Sequence, residues 1–170
     1  MRHTFAIAAR RVSAFAVDWL VVALWAGVLF GAVMIATAGR PGRPHDPWTA
    51  QAIGFFAMTL PVVLYFAYCE SSATHATLGK RLLRLEALSE ASRRLSFRAT
   101  LLRNAVKLAP WELGHSVANQ AIFAADTAPP MWVWLAAAAA MGVPVWWLIY
   151  LFATGRTPYD RWTSTQVSCV

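Results

Sequence analysis

Charged residues are scarce in this sequence of 170 residues. Asp, Glu, Lys and Arg make up 14% of the chain, whereas a soluble domain carries about 25%. Hydrophobic residues make up 58%, and the mean hydropathy is +0.47. This composition excludes an ordinary water-soluble globule. It predicts an integral membrane protein that forms a single domain, residues 1–170.

Reactive groups are also few. The two cysteines, Cys69 and Cys169, show no metal-binding spacing. They lie near helix ends that we place in the cytoplasm, where disulfides are rare. The pair Gly79-Lys80 does not form a phosphate loop, because Arg81 follows where Ser or Thr is required. With no Ser/His/Asp or Cys/His arrangement present either, we expect no enzyme activity, no cofactor and no metal.

Long apolar runs dominate the rest of the chain. About 20 apolar residues suffice for a helix to cross a bilayer. The first run is far longer than the core of a cleaved signal peptide, which has about 7–15 residues. Four runs are candidate spans, at about residues 12–38, 48–69, 108–126 and 131–152.

The net charge of +7 comes from basic residues that bunch beside these apolar runs. This is the positive-inside pattern, which places both termini and the central polar stretch in the cytoplasm. There the basic residues can bind anionic lipid headgroups. Because the charge follows the membrane boundary, we do not interpret it as a nucleic-acid site.

The third run is the most polar of the four. It contains Glu112, His115, Asn119 and Gln120, which are costly in lipid unless they face other helices. A cytoplasmic start and a cytoplasmic end require an even number of crossings, so we count residues 108–126 as a span. The alternative is three spans, with this segment re-entrant or interfacial.

These elements predict an all-α fold, a bundle of four transmembrane helices with a small cytoplasmic layer of loop and tail. In that layer, residues 82–88 fit either a short strand or an amphipathic helix, and periodicity does not decide between them. If both segments are strands, we expect residues 83–88 and 164–169 to pair. Ser96 is the expected N-cap of a helix that carries Arg98, Arg103 and Lys107 in the headgroups. Gly27-x-x-x-Gly31 in the first span allows another helix to approach closely, and Pro61 is expected to kink the second.

One carboxylate lies inside the first span. Asp18 follows Arg11 by seven residues, close to two helical turns, so both lie on one face and Arg11 is the expected partner of Asp18. Glu70 is either a solvated helix end or a group that faces Arg11 and Asp18. Gly79 is expected to end a helix or form a turn. Lys80 is expected to meet headgroups or a carboxylate such as Glu70.

Glu112 and His115 have the i, i+3 spacing of carboxylate-bridged metal sites in helical bundles. Such sites draw this pair from more than one helix, and only one copy exists here. We therefore expect a hydrogen bond between helices rather than a metal ligand.

Three stretches resemble the RDD family of small bacterial membrane proteins. They are Arg11-x-x-Ala14-x-x-x-Asp18, then Thr77-Leu78-Gly79-Lys80-Arg81, and finally Asp160 to Thr165 followed by Val167. The chain departs from the family pattern at Arg84, where a glycine is common, and at Thr163-Ser164, where Ala-Gly is usual. Both departures bear on the local backbone conformation.

The resemblance implies a bacterial inner-membrane protein and transport of an unidentified ion or solute, with cation/proton exchange proposed for some members. In this interpretation Asp18 is a protonatable relay or cation site. The alternative is a non-transporting scaffold or accessory subunit, in which Arg11, Asp18 and Asp160 form a structural ion-pair network. Either protein could form a homo-oligomer or bind another membrane protein.

Overall fold

The computed structural model describes residues 2–91, 93–124 and 127–169, with side chains from Thr4 onward. The chain is mainly helical, with one two-stranded sheet. The elements in order are α1 Arg2–Ala36, α2 Pro47–Gly54, a π-helical turn Phe55–Thr59, α3 Leu60–Ser71, α4 Leu78–Leu82, β1 Leu85–Ser89, α5 Phe97–Ala124, α6 Met131–Thr154, α7 Pro158–Trp162 and β2 Thr165–Cys169.

Three helices in the described part of the chain are long and apolar enough to cross a membrane. They are Thr4–Ala36, Pro47–Ser71 and Met131–Thr154, and they match three of the four predicted spans. The fourth predicted span lies within α5, although its end at Asp126 falls outside the described residues. The count of four spans therefore stays a prediction.

The second span contains the expected irregularity at Pro61. A π-helical turn, Phe55–Thr59, precedes the proline and joins α2 to α3. Proline lacks the N–H that a helix directs at the carbonyl four residues earlier. That carbonyl belongs to Ala57, and it accepts a hydrogen bond of 3.1 Å from Nε1 of Trp25 in α1. The first span thus satisfies the carbonyl that Pro61 leaves without its helical donor.

Helix α5 begins as predicted, with the backbone N–H of Ala99 donating to Oγ of Ser96 at 3.2 Å. It packs against α2, α3 and α6. The apolar core lies where α1, α3 and α5 meet, around Val22, Phe66 and Leu108. Around Gly27 and Gly31, the described residues place no heavy atom within 4 Å of where a Cβ atom would lie, so the described part of the chain does not use these glycines for close helix packing.

The layer of loop and tail is built from one unit that occurs twice at a spacing of 80 residues. Thr77 and Thr157 each cap a five-residue helix, α4 and α7, through the side-chain oxygen. Arg84 and Ser164 then have positive φ angles of 53° and 49°, and a strand follows each. The two strands pair antiparallel with Ala87 opposite Val167, which confirms the predicted pairing. The repeat was not detected in the sequence because few residue types are shared.

Candidate functional site

A buried network of charged side chains lies where α3, α5 and α7 meet. Its centre is Arg103, of which 1% is exposed. Nη1 of Arg103 donates to both carboxylate oxygens of Glu70 at 2.8 Å, and Nη2 donates to Oδ1 of Asp160 at 2.7 Å. One guanidinium therefore bridges two carboxylates that belong to distant parts of the chain. The prediction that Arg103 lies among the headgroups was wrong, because the side chain turns into the bundle.

Glu70 is fully buried, so its interpretation as a solvated helix end was wrong. Besides Arg103, it accepts hydrogen bonds from Nδ2 of Asn104 at 2.9 Å and from Nζ of Lys80. The ion pair with Lys80 confirms the predicted carboxylate partner. Burial lowers the pKa of Lys80, although the charge of Glu70 acts in the opposite direction.

Asp160 is likewise fully buried, at the start of α7. It forms ion pairs with Arg103 and Arg11, and it accepts the backbone N–H of Thr157 at 3.2 Å. Burial alone would raise the pKa of Asp160, but the charges of Arg103 and Arg11 outweigh burial and hold this pKa well below its usual range. Arg11 also donates to the carbonyl of Gly155 at 3.2 Å, so it ties α1 to the tail.

Asp18 does not pair with Arg11, which corrects the prediction from their spacing. Its two oxygens accept hydrogen bonds from Oγ1 of Thr77 at 2.6 Å and from the backbone N–H of Gly79 at 2.8 Å. Thr77 is the N-cap of α4, and Gly79 lies in its first turn, where helix N–H groups lack partners within the helix. Asp18 thus attaches α4 to α1, and Arg11 pairs with Asp160 instead.

Gly79 lies within α4. The prediction that it ends a helix or forms a turn was wrong. A Cβ atom on this residue would be 2.0 Å from the carbonyl oxygen of Ala14 and 3.0 Å from Cγ of Asp18. Only glycine permits this approach. The first two motifs that resemble the family are therefore in contact. Ala14 and Asp18 of the first motif contact Gly79 and Thr77 of the second. In the third motif, Thr165 lies beside the network, with its Oγ1 accepting from Nε of Arg103 at 3.2 Å.

A cavity of about 570 Å³ lies between α1, α5 and α6, directly against this network. Arg11, Asp18, Lys80 and Arg103 line one end of it, and most of the remaining wall is apolar. Along α5 the lining extends from Arg103 to His115, about 18 Å at the rise of a helix. The cavity thus joins the charged end of the bundle to its interior.

Lys107 also lines the cavity. Its Nζ lies 3.9 Å from the ring centroid of Phe66 and 4.5 Å from that of Phe15, positions typical of cation–π contacts. No carboxylate of the described residues lies within ion-pair distance of it. Among the described residues that line the cavity, Lys107 is therefore the one basic side chain without an ion pair.

A second polar cluster lies farther along α5. Glu112 accepts hydrogen bonds from the side chains of Gln51 and Thr59 in the second span, and Asn119 donates to Oε1 of Gln51 at 2.8 Å. This confirms the predicted hydrogen bonding between helices at Glu112. His115 Nδ1 lies 3.6 Å from Oε2 of Glu112. Among the described residues, no group of three or more His, Cys, Asp and Glu side chains could hold a metal ion.

Most of the residues that α5 contributes to the network were not predicted from the sequence. Arg103 and Lys107 were assigned to a helix start in the headgroups, and Thr100 and Asn104 were given no role. The spacing of these four residues, i, i+3, i+4 and i+7, puts them on one helical face, and three of the four are buried. That polar stripe, on a helix that continues into an apolar run, is the signal that could have located the network.

Apolar helices of spanning length, joined at one end by a buried charge network, define an integral membrane protein. The chain belongs to the RDD family, whose model matches residues 5–164. No curated protein and no solved structure gives a significant match.

Proposed function

We propose that this chain is a transport protein that moves a small ion or solute across the bacterial cell membrane, and that it is not an enzyme. The observation that supports transport is the cavity of about 570 Å³, on which buried charged residues of α1, α4 and α5 converge. Its volume lies within the range of about 300–1,000 Å³ that is usual for small-molecule sites.

Polar side chains continue beyond the cavity. His115 lines the cavity and contacts Glu112, which is bonded to Gln51 near the start of the second span. Intramembrane polar residues of this kind commonly mark solute pathways. In our proposal the cavity is the cytoplasmic half of the pathway, and the Glu112 cluster continues it toward the opposite side.

The topology we propose has four crossings and cytoplasmic termini. The 28 residues of α5 extend about 42 Å, and α5 packs along the second span and α6. The repeated unit supports an equivalent role for α1 and α5, because each precedes a span, a capped short helix and a strand. Exposed arginines of the cytoplasmic layer then face anionic headgroups, namely Arg81, Arg84, Arg93, Arg94 and Arg98.

Within this proposal, the signature residues hold the cytoplasmic end of the cavity in place. Both oxygens of Asp18 are used by donors of α4, so we assign it to positioning α4 rather than to carrying protons. Arg11 and Asp160 lock α1 to the tail. Buried pairs of this kind serve conformational specificity in some proteins.

A scaffold or accessory subunit is the second candidate, and one observation favours it. Gly27 and Gly31 are without close neighbours among the described residues of this chain, so a helix of a second copy or of another membrane protein could pack there. Transport remains our proposal because a scaffold does not require the cavity.

The test is flux in proteoliposomes, recorded electrically after steps in sodium, potassium, proton, acetate or alkylsulfonate concentration. Gly114 lines the cavity and has open space at its Cβ position, so Gly114→Leu should fill the cavity without a clash. Gly142→Leu is the matched control, because Gly142 also has open space but lies outside the cavity lining. We expect a protein-dependent signal that Gly114→Leu abolishes and Gly142→Leu retains. No signal with any probe, or equal signals from both variants, would overturn the proposal.

A further inference from the structure

The charges around the cavity do not balance. Four cations, Arg11, Lys80, Arg103 and Lys107, line it, and the adjoining carboxylates are Asp18, Glu70 and Asp160. The first three cations form ion pairs with Glu70 or Asp160. Lys107 forms no ion pair with a described carboxylate.

We propose that the cavity binds an amphipathic anion, with its charged group at Lys107 and its apolar body against α5 and α6. This inference rests on the proposed function, since it names the class of solute that the cavity takes. A desolvated ammonium beside a low-dielectric wall attracts an anion far more strongly than one in water. The aromatic rings of Phe15 and Phe66 hold the ammonium in place without neutralising its charge.

The cavity walls determine what kind of ligand body can bind. Beyond the charged end, the lining is apolar and aromatic, with Trp111, Met141, Pro144 and Leu148 among its residues. A small, strongly hydrated anion would lose its water there without compensation. An alkyl chain or an aromatic ring instead gains about 25 cal/mol for each Å² of apolar surface that leaves water.

Such an anion has two sources, an anionic membrane lipid or a water-soluble amphiphile. The experiment is native mass spectrometry of the whole protein released from a non-ionic detergent. The probes are decanesulfonate, decyltrimethylammonium with the same chain and opposite charge, and propanesulfonate with the same charge and little apolar surface. We expect binding of decanesulfonate alone at low concentration. Equal binding of decyltrimethylammonium, or of propanesulfonate, would overturn the inference.

Substitutions at Lys107 and in the cavity lining test where decanesulfonate binds. Lys107→Met should weaken decanesulfonate binding about tenfold or more, because it removes a charged partner. Arg98→Met is the control, since Arg98 is an exposed cation at the start of the same helix. Gly114→Leu should abolish binding and Gly142→Leu should not, which keeps the test decisive if Lys107→Met does not fold. Binding that survives both Lys107→Met and Gly114→Leu would contradict the proposal.

A last comparison separates the two sources and the two proposals. Protein from membranes rich in phosphatidylglycerol should retain a bound phospholipid, dependent on Lys107, if a lipid is the ligand; otherwise only decanesulfonate should bind.

Cavity-dependent binding without any flux would overturn transport and leave the ligand class standing. Flux of cations alone, with no anion binding, would overturn the ligand class and leave transport standing.

Discussion

Gly79 lies so close to Ala14 that a Cβ atom on Gly79 would be 2.0 Å from the Ala14 carbonyl oxygen. The same glycine donates its backbone N–H to Asp18, one turn along α1. Close approach and hydrogen bond depend on each other, since the N–H reaches the carboxylate only where the backbones touch. This contact joins the first span to the layer of loop and tail.

Gly79→Ala should therefore destabilise the protein by about 1–3 kcal/mol or more, as overpacking against backbone does. Gly27→Ala is the matched control, because Gly27 lies in a helix with no described heavy atom near its Cβ position and alanine favours helices. The measurement is thermal unfolding in detergent. If Gly79→Ala melts at the same temperature as Gly27→Ala, the close contact with Ala14 does not exist.

Replacing Arg103 should destabilise the fold, because this one side chain forms ion pairs with both Glu70 and Asp160. Arg103→Met leaves two carboxylates short of a cation, and removing one partner of a buried pair costs about 3–5 kcal/mol. Arg103→Lys should recover only part of this loss, since an ammonium lacks the planar fork that spans both carboxylates. Arg98→Lys, on the exposed side of the same helix, should change the melting temperature little. An Arg103→Lys protein as stable as Arg98→Lys would contradict the bridging role.

Acid should destabilise the fold through Asp160. Its pKa is lowered from the ordinary value of 3.8 in the folded protein, so the unfolded chain binds the proton more tightly. The contribution of Asp160 to stability is then complete above about pH 4 and is lost as the pH falls toward the lowered folded value. Melting temperatures between pH 3 and pH 7 provide the check. Asp160→Asn should be less stable at pH 7 and should lose less on acidification. Parallel curves for the two proteins would contradict this assignment.

The spans were easier to locate from the sequence than the partners of their charges. Apolar length and basic flanks identify a span locally, whereas periodicity left residues 82–88 open between a strand and a helix. The partner of Asp18, in contrast, is a backbone N–H of Gly79, which no residue type indicates. Arg11 reaches Asp160 across 149 positions, so spacing along α1 favoured the nearer carboxylate and predicted the wrong pair. Arg103 was misplaced because a basic residue near a span end suits headgroups and a buried network equally well.

Two residues of the layer of loop and tail should accept glycine with a gain in stability. Arg84 and Ser164 have φ angles of 53° and 49°, a conformation that costs a residue with a Cβ about 1–2 kcal/mol. Glycine avoids that cost but adds entropy to the unfolded chain, so Arg84→Gly and Ser164→Gly should each stabilise by about 0.5–1 kcal/mol in thermal unfolding. Ser168→Gly, in the extended backbone of β2, should destabilise by a similar amount. Stability lost at all three positions would show that Arg84 and Ser164 make compensating contacts.

Trp25 and Pro61 should be energetically coupled although they lie in different spans. Nε1 of Trp25 donates to the Ala57 carbonyl, which is without its helical donor because Pro61 has no N–H. Trp25→Phe should therefore cost about 1 kcal/mol in the natural sequence. In a Pro61→Ala background the cost should be smaller, because the new alanine N–H can bond Ala57 within the helix. Unfolding in detergent of the four proteins of this double-mutant cycle measures the coupling. Trp134→Phe, at an exposed position of α6, is the control for loss of an indole, and equal costs of Trp25→Phe in both backgrounds would show that Trp25 does not replace the missing donor.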